Sequence, residues 1–348
     1  MKLQSYLMGE WREGQGEGVP VRDASTGEVL ARVTAEGLPV KEAVAWGREV
    51  GGRALLALGF QERGRRLRAL AQYLSERKEA LYRLYATTGG TRRDAWYDVD
   101  GGIGVLYTYS SLARNLPEGN LLPEDDFLPL SKDLSFQGRH VLAPKGGITV
   151  QINAFNFPVW GLLEKFAPAF LAGVPTLAKP ATPTAHVAEA LVRTMLESGL
   201  LPEGSLQLLV GSVGDLFDAL DHRDSVFFTG SKATADRLRR HPAFPQGGRG
   251  DAQNVGQGGG CVQQRDRLGD DVVDPHARPA LDPCEGLIAG AVVHEHEFVV
   301  EAGEGGGEFV LERGDIVLLV VEWDDDGNGG HGEERMKAEG GRRKAESS

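Results

Sequence analysis

Apolar residues recur at helical spacing through "QERGRRLRALAQYLSERKEALYRLYATTGG", where Leu67, Leu70, Leu74, Leu81 and Leu84 fall on one face. That period predicts a long amphipathic helix closed by Gly89 and Gly90. Arg63, Arg65, Arg66 and Arg68 are expected on its wet side. Further along, the pattern alternates. "GGITVQI", "GVPTLAKPA", "GSLQLLVG" and "SVFFTGS" are short β-rich runs, whereas "TAHVAEALVRTMLESGL", closed by Gly199, and "VGDLFDALDH" carry a helical period. Strands alternating with helices predict an α/β fold with an open parallel sheet of the Rossmann type and right-handed crossovers.

From about Pro245 the texture changes. "PQGGRGDAQNVGQGGGCVQQRDRLGDDVVDPHARP" has no usable hydrophobic period. The part from Gln246 onward holds 21 of the 48 glycines and no tyrosine, which sets a boundary between 1–245 and 246–348. Valine and isoleucine in "GAVVHEHEFVVEAGEGGGEFVLERGDIVLLVVEW" predict some strand pairing, and "DDDGNGGHGEERMKAEGGRRKAESS" reads as a disordered tail.

Composition narrows the class. The formal net charge of −12 excludes a general nucleic-acid binder, which would present a basic face. Two cysteines are too few for a disulfide framework, so a reducing cytoplasm is expected. No apolar run approaches the ~20 residues of a membrane span, and "MKLQSYLMGEW" has no secretory h-region. His294 and His296 share one face of "HEHE", but without a third ligand nearby they read as a solvated edge and no metal site is assigned.

Four landmarks follow strands in order. Asn156 comes after "VQINAF"; Lys179 and Thr182 lie in "LAKPATPTA"; Gly211 to Gly214 follow the next strand; and Thr229, Gly230 and Ser231 lie in "FFTGSKATA". In an open parallel sheet ligands gather at the carboxyl ends of strands, so these residues are expected to converge on one ligand. A strand-end lysine suits ribose hydroxyls or a phosphate, and N–H groups opening a helix suit a pyrophosphate.

In "SYLMGEW", "GGIGVLYTYSSL", "INAFNFPVWGLLEKFAPAFLAGVPTLAKPAT", "ESGLLPEGSLQLLVGSVGDL" and "VFFTGSKAT" the chain resembles the NAD(P)-dependent aldehyde dehydrogenase superfamily, from Met1 to about Phe244. It is most similar to the aldehyde dehydrogenase half of the bifunctional ring-opening enzymes of phenylacetate degradation, which oxidise a CoA-linked semialdehyde. The resemblance implies a soluble, homo-oligomeric enzyme that uses NADP or NAD to turn a small-molecule aldehyde into its acid.

It also implies roles. Asn156 matches the asparagine whose amide holds the oxyanion. Ile152, Asn153, Ala154 and Phe155 match the strand end lining the cofactor, and Lys179 matches the lysine at the adenine ribose. Thr182 stands where NAD-preferring members carry a glutamate, so NADP is expected to be tolerated or preferred. Gly211 matches the adenine-pocket glycine, and Thr229, Gly230 and Ser231 match the turn beneath the pyrophosphate; Ala235 replaces a second glycine common in the family.

The chemistry departs from the pattern. The family needs a cysteine nucleophile and a glutamate base, yet "RGDAQNVGQGG" has no glutamate where one is due. Cys284 is nearest the expected nucleophile by spacing and Cys261 by its "GQGGGC" context; neither meets both conditions. A shifted reading frame, a rearranged gene or a truncated relative would explain this. The alternative function is therefore a catalytically inactive nucleotide-binding remnant, or a structural partner of an intact paralogue.

Overall fold

The computed structural model describes residues 1–123, 127–130, 132 and 137–242. Beyond these it describes only the strand backbones of 259–263, 298–300, 309–311 and 317–322. One mixed, mostly parallel sheet organises the chain. Its strands are β1 (Ser5–Leu7), β2 (Glu10–Arg12), β3 (Thr149–Ile152), β4 (Thr176–Lys179), β5 (Leu206–Leu208), β6 (Ser225–Gly230), β7 (Gly259–Gln263) and β8 (Val317–Glu322). They lie in the order β7-β8-β6-β3-β4-β5-β1-β2. The neighbours from β8 to β5 pair parallel, and β1, β2 and β7 join antiparallel at the two sides.

The helices are α1 (Val40–Trp46), α2 (Gly52–Leu56), α3 (Phe60–Tyr85), α4 (Arg92–Leu112), α5 (Trp160–Ala172), α6 (Ala185–Glu197) and α7 (Lys232–Arg239). Alternation along the strands feeds two cores. Ala178, Leu206 and Leu208 pack with residues of α3, α4, α5 and α6. Val150, Ile152, Leu177, Val226 and Phe228 face the other way, against α1 and α7. A sheet covered on both faces explains why its strands read as near-continuous apolar runs. Among the described residues no helix is long and apolar enough to cross a membrane.

Two expectations change. Arg63 does not sit on the wet side of α3: it is fully buried. The reason is spacing, since it lies four residues before Leu67 on the stripe that continues through Leu70 and Leu74. Its Nε donates to the Leu171 carbonyl at 2.8 Å, and Nη1 to the Leu55 carbonyl at 3.0 Å and Asn120 Oδ1 at 2.6 Å. Burial lowers its pKa to about 10. The second change is the run from Val213 to His222, which makes only a 3₁₀ turn over Leu216–Ala219. Buried Asp224 ends it by accepting from the N–H groups of Asp221 and Ile148 while also holding Arg48.

Candidate functional site

The strand that follows residue 148 is central to the ligand edge. β3 pairs with β4 on one side and with β6 on the other, placing Ile152 opposite both Lys179 and Phe228. The order of the sheet therefore reverses at β3, and the crevice at the carboxyl ends of β3 and β6 is where such sheets accept ligands. Three of the four landmarks meet there in register: the turn after Ile152, Lys179, and Thr229 to Ser231. The fourth, Gly211, follows β5 on the far side of β4.

Asn153 is the most unusual residue at this edge. Its side chain is buried, yet neither Oδ1 nor Nδ2 has a partner. Its backbone N–H donates to the Lys179 carbonyl at 3.0 Å, fixing the turn to β4. An unsatisfied buried amide costs about 1–3 kcal/mol, so it needs either a guest or another use. Thr229 repeats the feature, with Oγ1 buried and unpartnered at the end of β6. Lys179 extends from β4 into surroundings that desolvate its ammonium and lower its pKa, with no carboxylate against it among the described residues. These three groups are what a polar, anionic ligand would satisfy.

The rest of the turn is more open. Ala154 and Asn156 are half-buried and Phe155 is 62% exposed. The Asn156 carbonyl accepts from the Tyr85 hydroxyl at 3.1 Å; its side chain makes no hydrogen bond among the described residues. Thr182 is the half-buried first residue of the 3₁₀ turn Thr182–Thr184 that leads into α6, and no carboxylate stands at its position. Ser231 caps α7, its hydroxyl accepting from the Thr234 N–H. Ala235 is buried inside that helix.

Two glycines have a structural explanation of their own. Gly211 has φ +106°, and a Cβ there would lie 2.7 Å from the Ala35 nitrogen and 2.9 Å from the Thr34 carbonyl carbon. A Cβ on Gly230 would lie 2.5 Å from the Phe228 ring. Backbone packing alone therefore requires Gly211, and a side chain at Gly230 would have to displace the Phe228 ring, whatever binds nearby.

The strand register sets Cys261 apart from the crevice. Cys261 stands opposite Leu319 on β8, which stands opposite Phe227 on β6, itself opposite Gln151 on β3. Three strand spacings put its backbone about 14 Å from Gln151. Cys284, His294 and His296 lie outside the described residues.

Asp98 was not singled out from the sequence. It is buried on α4, and its carboxylate accepts from the N–H of Trp160 at 2.6 Å and of Val159 at 3.1 Å, capping α5 directly after the Asn153–Asn156 turn. Burial pushes its pKa up to about 7 against the pull of those two donors. A cap supplied from 61 residues away leaves no local signature. A separate cavity lies at the opposite, amino-terminal edge of the sheet, lined by Arg48, Arg53, Lys145, Gly147 and Gly173 among others.

Comparison with known proteins agrees with this layout. The model of the aldehyde dehydrogenase family matches residues 11–247. Over 243 residues the chain is 45% identical to 3,4-dehydroadipyl-CoA semialdehyde dehydrogenase from Aromatoleum evansii, covering 70% of this chain and 47% of that protein. It is 29% identical to the D-glyceraldehyde dehydrogenase (NADP(+)) of Picrophilus torridus, covering 68% of this chain and 47% of the other. Among solved structures, betaine aldehyde dehydrogenase from Staphylococcus aureus, determined in complex with NAD+, matches with a TM-score of 0.57 at 24% identity. That match covers 68% of this chain and 46% of that one, and speaks for the fold. The chain spans about half the length of the curated relatives it matches.

Proposed function

As the chain belongs to the aldehyde dehydrogenase family, we propose that residues 1–245 form the cofactor-binding half of an NAD(P)-dependent aldehyde oxidation system. The substrate class is a CoA-linked semialdehyde, by likeness to the relative from Aromatoleum evansii. The observation that carries the reading is the buried, unpartnered amide of Asn153, beside desolvated Lys179 at the point where the sheet reverses its order.

Bound NAD(P) supplies the hydride acceptor. Ile152, Asn153, Ala154 and Phe155 form the wall against it, and Lys179 reaches a ribose hydroxyl or phosphate. Thr229, Gly230 and Ser231 place the N–H groups opening α7 beneath the pyrophosphate, where the helix dipole favours negative charge. Thr182 offers no carboxylate to repel a 2′-phosphate, so NADP binds at least as tightly as NAD. The Asn156 amide donates to the substrate carbonyl oxygen as negative charge builds on it. Calorimetric titration with both dinucleotides tests this assignment, and clearly tighter NAD binding refutes the role of Thr182.

The nucleophile is the weak link. An attacking sulfur must stand about 3 Å from the carbonyl carbon. The register of Cys261 favours a second reading, in which this chain binds the nucleotide but does not itself oxidise aldehydes. Cys284 is the remaining candidate. An NADPH-formation assay with a CoA-linked semialdehyde, repeated with Cys284→Ala and Cys261→Ala, separates the two readings. Turnover that disappears in one variant identifies the nucleophile and removes the second reading.

A further inference from the structure

The turn bearing Asn156 is gripped from beneath by the α3–α4 pair. The Tyr85 hydroxyl, on α3, donates to the Asn156 carbonyl at 3.1 Å. Three residues on comes Val159, the N-cap of α5, and its N–H and that of Trp160, the first residue of the helix, both end on the Asp98 carboxylate. α4 can approach so closely because it carries glycines at the crossing. A Cβ on Gly102 would lie 3.0 Å from the Trp160 Cα, and one on Gly101 would lie 2.4 Å from the Trp160 ring. Gly102 leaves room for backbone against backbone, and Gly101 for the indole. Two orphan donors of a helix start, normally met by the preceding residue or by water, are met here by one buried carboxylate.

We infer that Asp98 and Tyr85 are positioning residues for the Asn153–Asn156 turn, Asp98 acting through the first turn of α5 and Tyr85 through the Asn156 carbonyl. The inference rests on the reading of that turn as the wall of the cofactor and substrate site. No side chain on the turn itself does this work, since the Asn153 amide is unpartnered and Phe155 points to solvent. Ionised Asp98 accepts both N–H groups; once protonated, its hydroxyl turns a donor toward a donor and one bond is lost. The groups that face Asp98 are Tyr85 from α3 and Glu164 from α5, the latter held by Lys165 at 2.6 Å, while Asp94 from its own helix acts on Tyr85. Tyr85 stays protonated, because burial and the nearby carboxylates raise its pKa. The titration is thus assigned to Asp98.

The test uses the full chain labelled with 5-fluorotryptophan, in which Trp160 is one of five tryptophans. Its resonance is assigned with Trp160→Phe. In the parent it should shift with a midpoint near 7, and in Asp98→Asn it should not titrate. NADP affinity measured over the same range should weaken about fivefold on the acidic side, the worth of one ordinary hydrogen bond. In Asp98→Asn the affinity should be flat with pH and close to the parent's acidic value. Tyr85→Phe should weaken NADP binding while leaving the Trp160 titration in place. A Trp160 signal that ignores pH, or that titrates equally in Asp98→Asn, overturns the inference. So does a parent NADP affinity that is flat with pH. If the fluorine titration is as expected but the parent binds no NADP at any pH, the coupling of Asp98 to α5 stands and the cofactor reading fails.

Discussion

Replacing Lys179 by methionine separates folding from binding, because the two effects have opposite signs. Methionine keeps the unbranched stem and its packing but removes the ammonium. In the free protein that ammonium is desolvated with no carboxylate beside it among the described residues, which is why its pKa falls. A desolvated cation without a partner, even a half-buried one like Lys179, disfavours the fold. Lys179→Met should therefore leave the unfolding free energy unchanged or raise it. With a dinucleotide present the ammonium makes a charged hydrogen bond, worth about 1.5–3 kcal/mol. Its loss corresponds to about a 12- to 160-fold weaker dissociation constant. The assay is thermal denaturation with and without NADP, since a ligand at 100 times its dissociation constant adds about 2.7 kcal/mol to the folded state. The expected result is a higher midpoint without NADP and a much smaller rise with it. A midpoint that falls without ligand, together with an unchanged NADP-induced rise, would refute the reasoning and return Lys179 to a structural role.

Arg63→Leu should cost about 2–5 kcal/mol in urea unfolding, because it strands carbonyls in the core where α2, α3 and α5 meet, at about 1–3 kcal/mol each; a loss under 1 kcal/mol (roughly what a surface arginine gives) would contradict its bonding role. Gly211→Ala should destabilise the chain by about 1–3 kcal/mol through its positive φ and the Thr34–Ala35 backbone, measured without ligand, and an unchanged unfolding curve would argue against that close approach. The Asp98 carboxyl has a raised folded pKa, so the native chain holds that proton more tightly than the unfolded chain. Its contribution to stability is complete below about pH 4 and is lost as pH rises toward about 7; across this window the stability of the parent relative to Asp98→Asn should fall as pH rises, because the other shifted groups, such as Asp221 and His186, titrate in both proteins.

The parts legible in the sequence were those written in local periodicity. The leucine stripe of α3, the strands over Thr149–Ile152, Thr176–Lys179, Leu206–Leu208 and Ser225–Gly230, and the helix closed by Gly199 all formed where the pattern put them. The strand-end landmarks likewise lie where the sequence order put them, at the carboxyl ends of β3, β4 and β6. What stayed hidden depends on partners distant in the chain. Asp98 reads as one charge among several on α4, and only the fold brings it to the start of α5. The run after Val213 has a helical period, but Asp224 draws the chain into a turn instead. Arg63 is different: its place on the leucine stripe was readable, and the surrounding arginines masked it. The unpartnered state of the Asn153 amide lies beyond any sequence pattern, since it depends on what the folded chain fails to place beside it.

The central claim is that the crevice between the ends of β3 and β6 holds the dinucleotide. Amide hydrogen exchange of the full chain, with and without saturating NADP, tests it segment by segment. Protection should rise at Ile152 to Asn156, at Lys179 to Thr184 and at Thr229 to Ser231, while Lys145 to Gly147 and Gly173 at the opposite edge stay unchanged. Protection confined to that opposite edge, or no change at any of the three segments, would contradict the account.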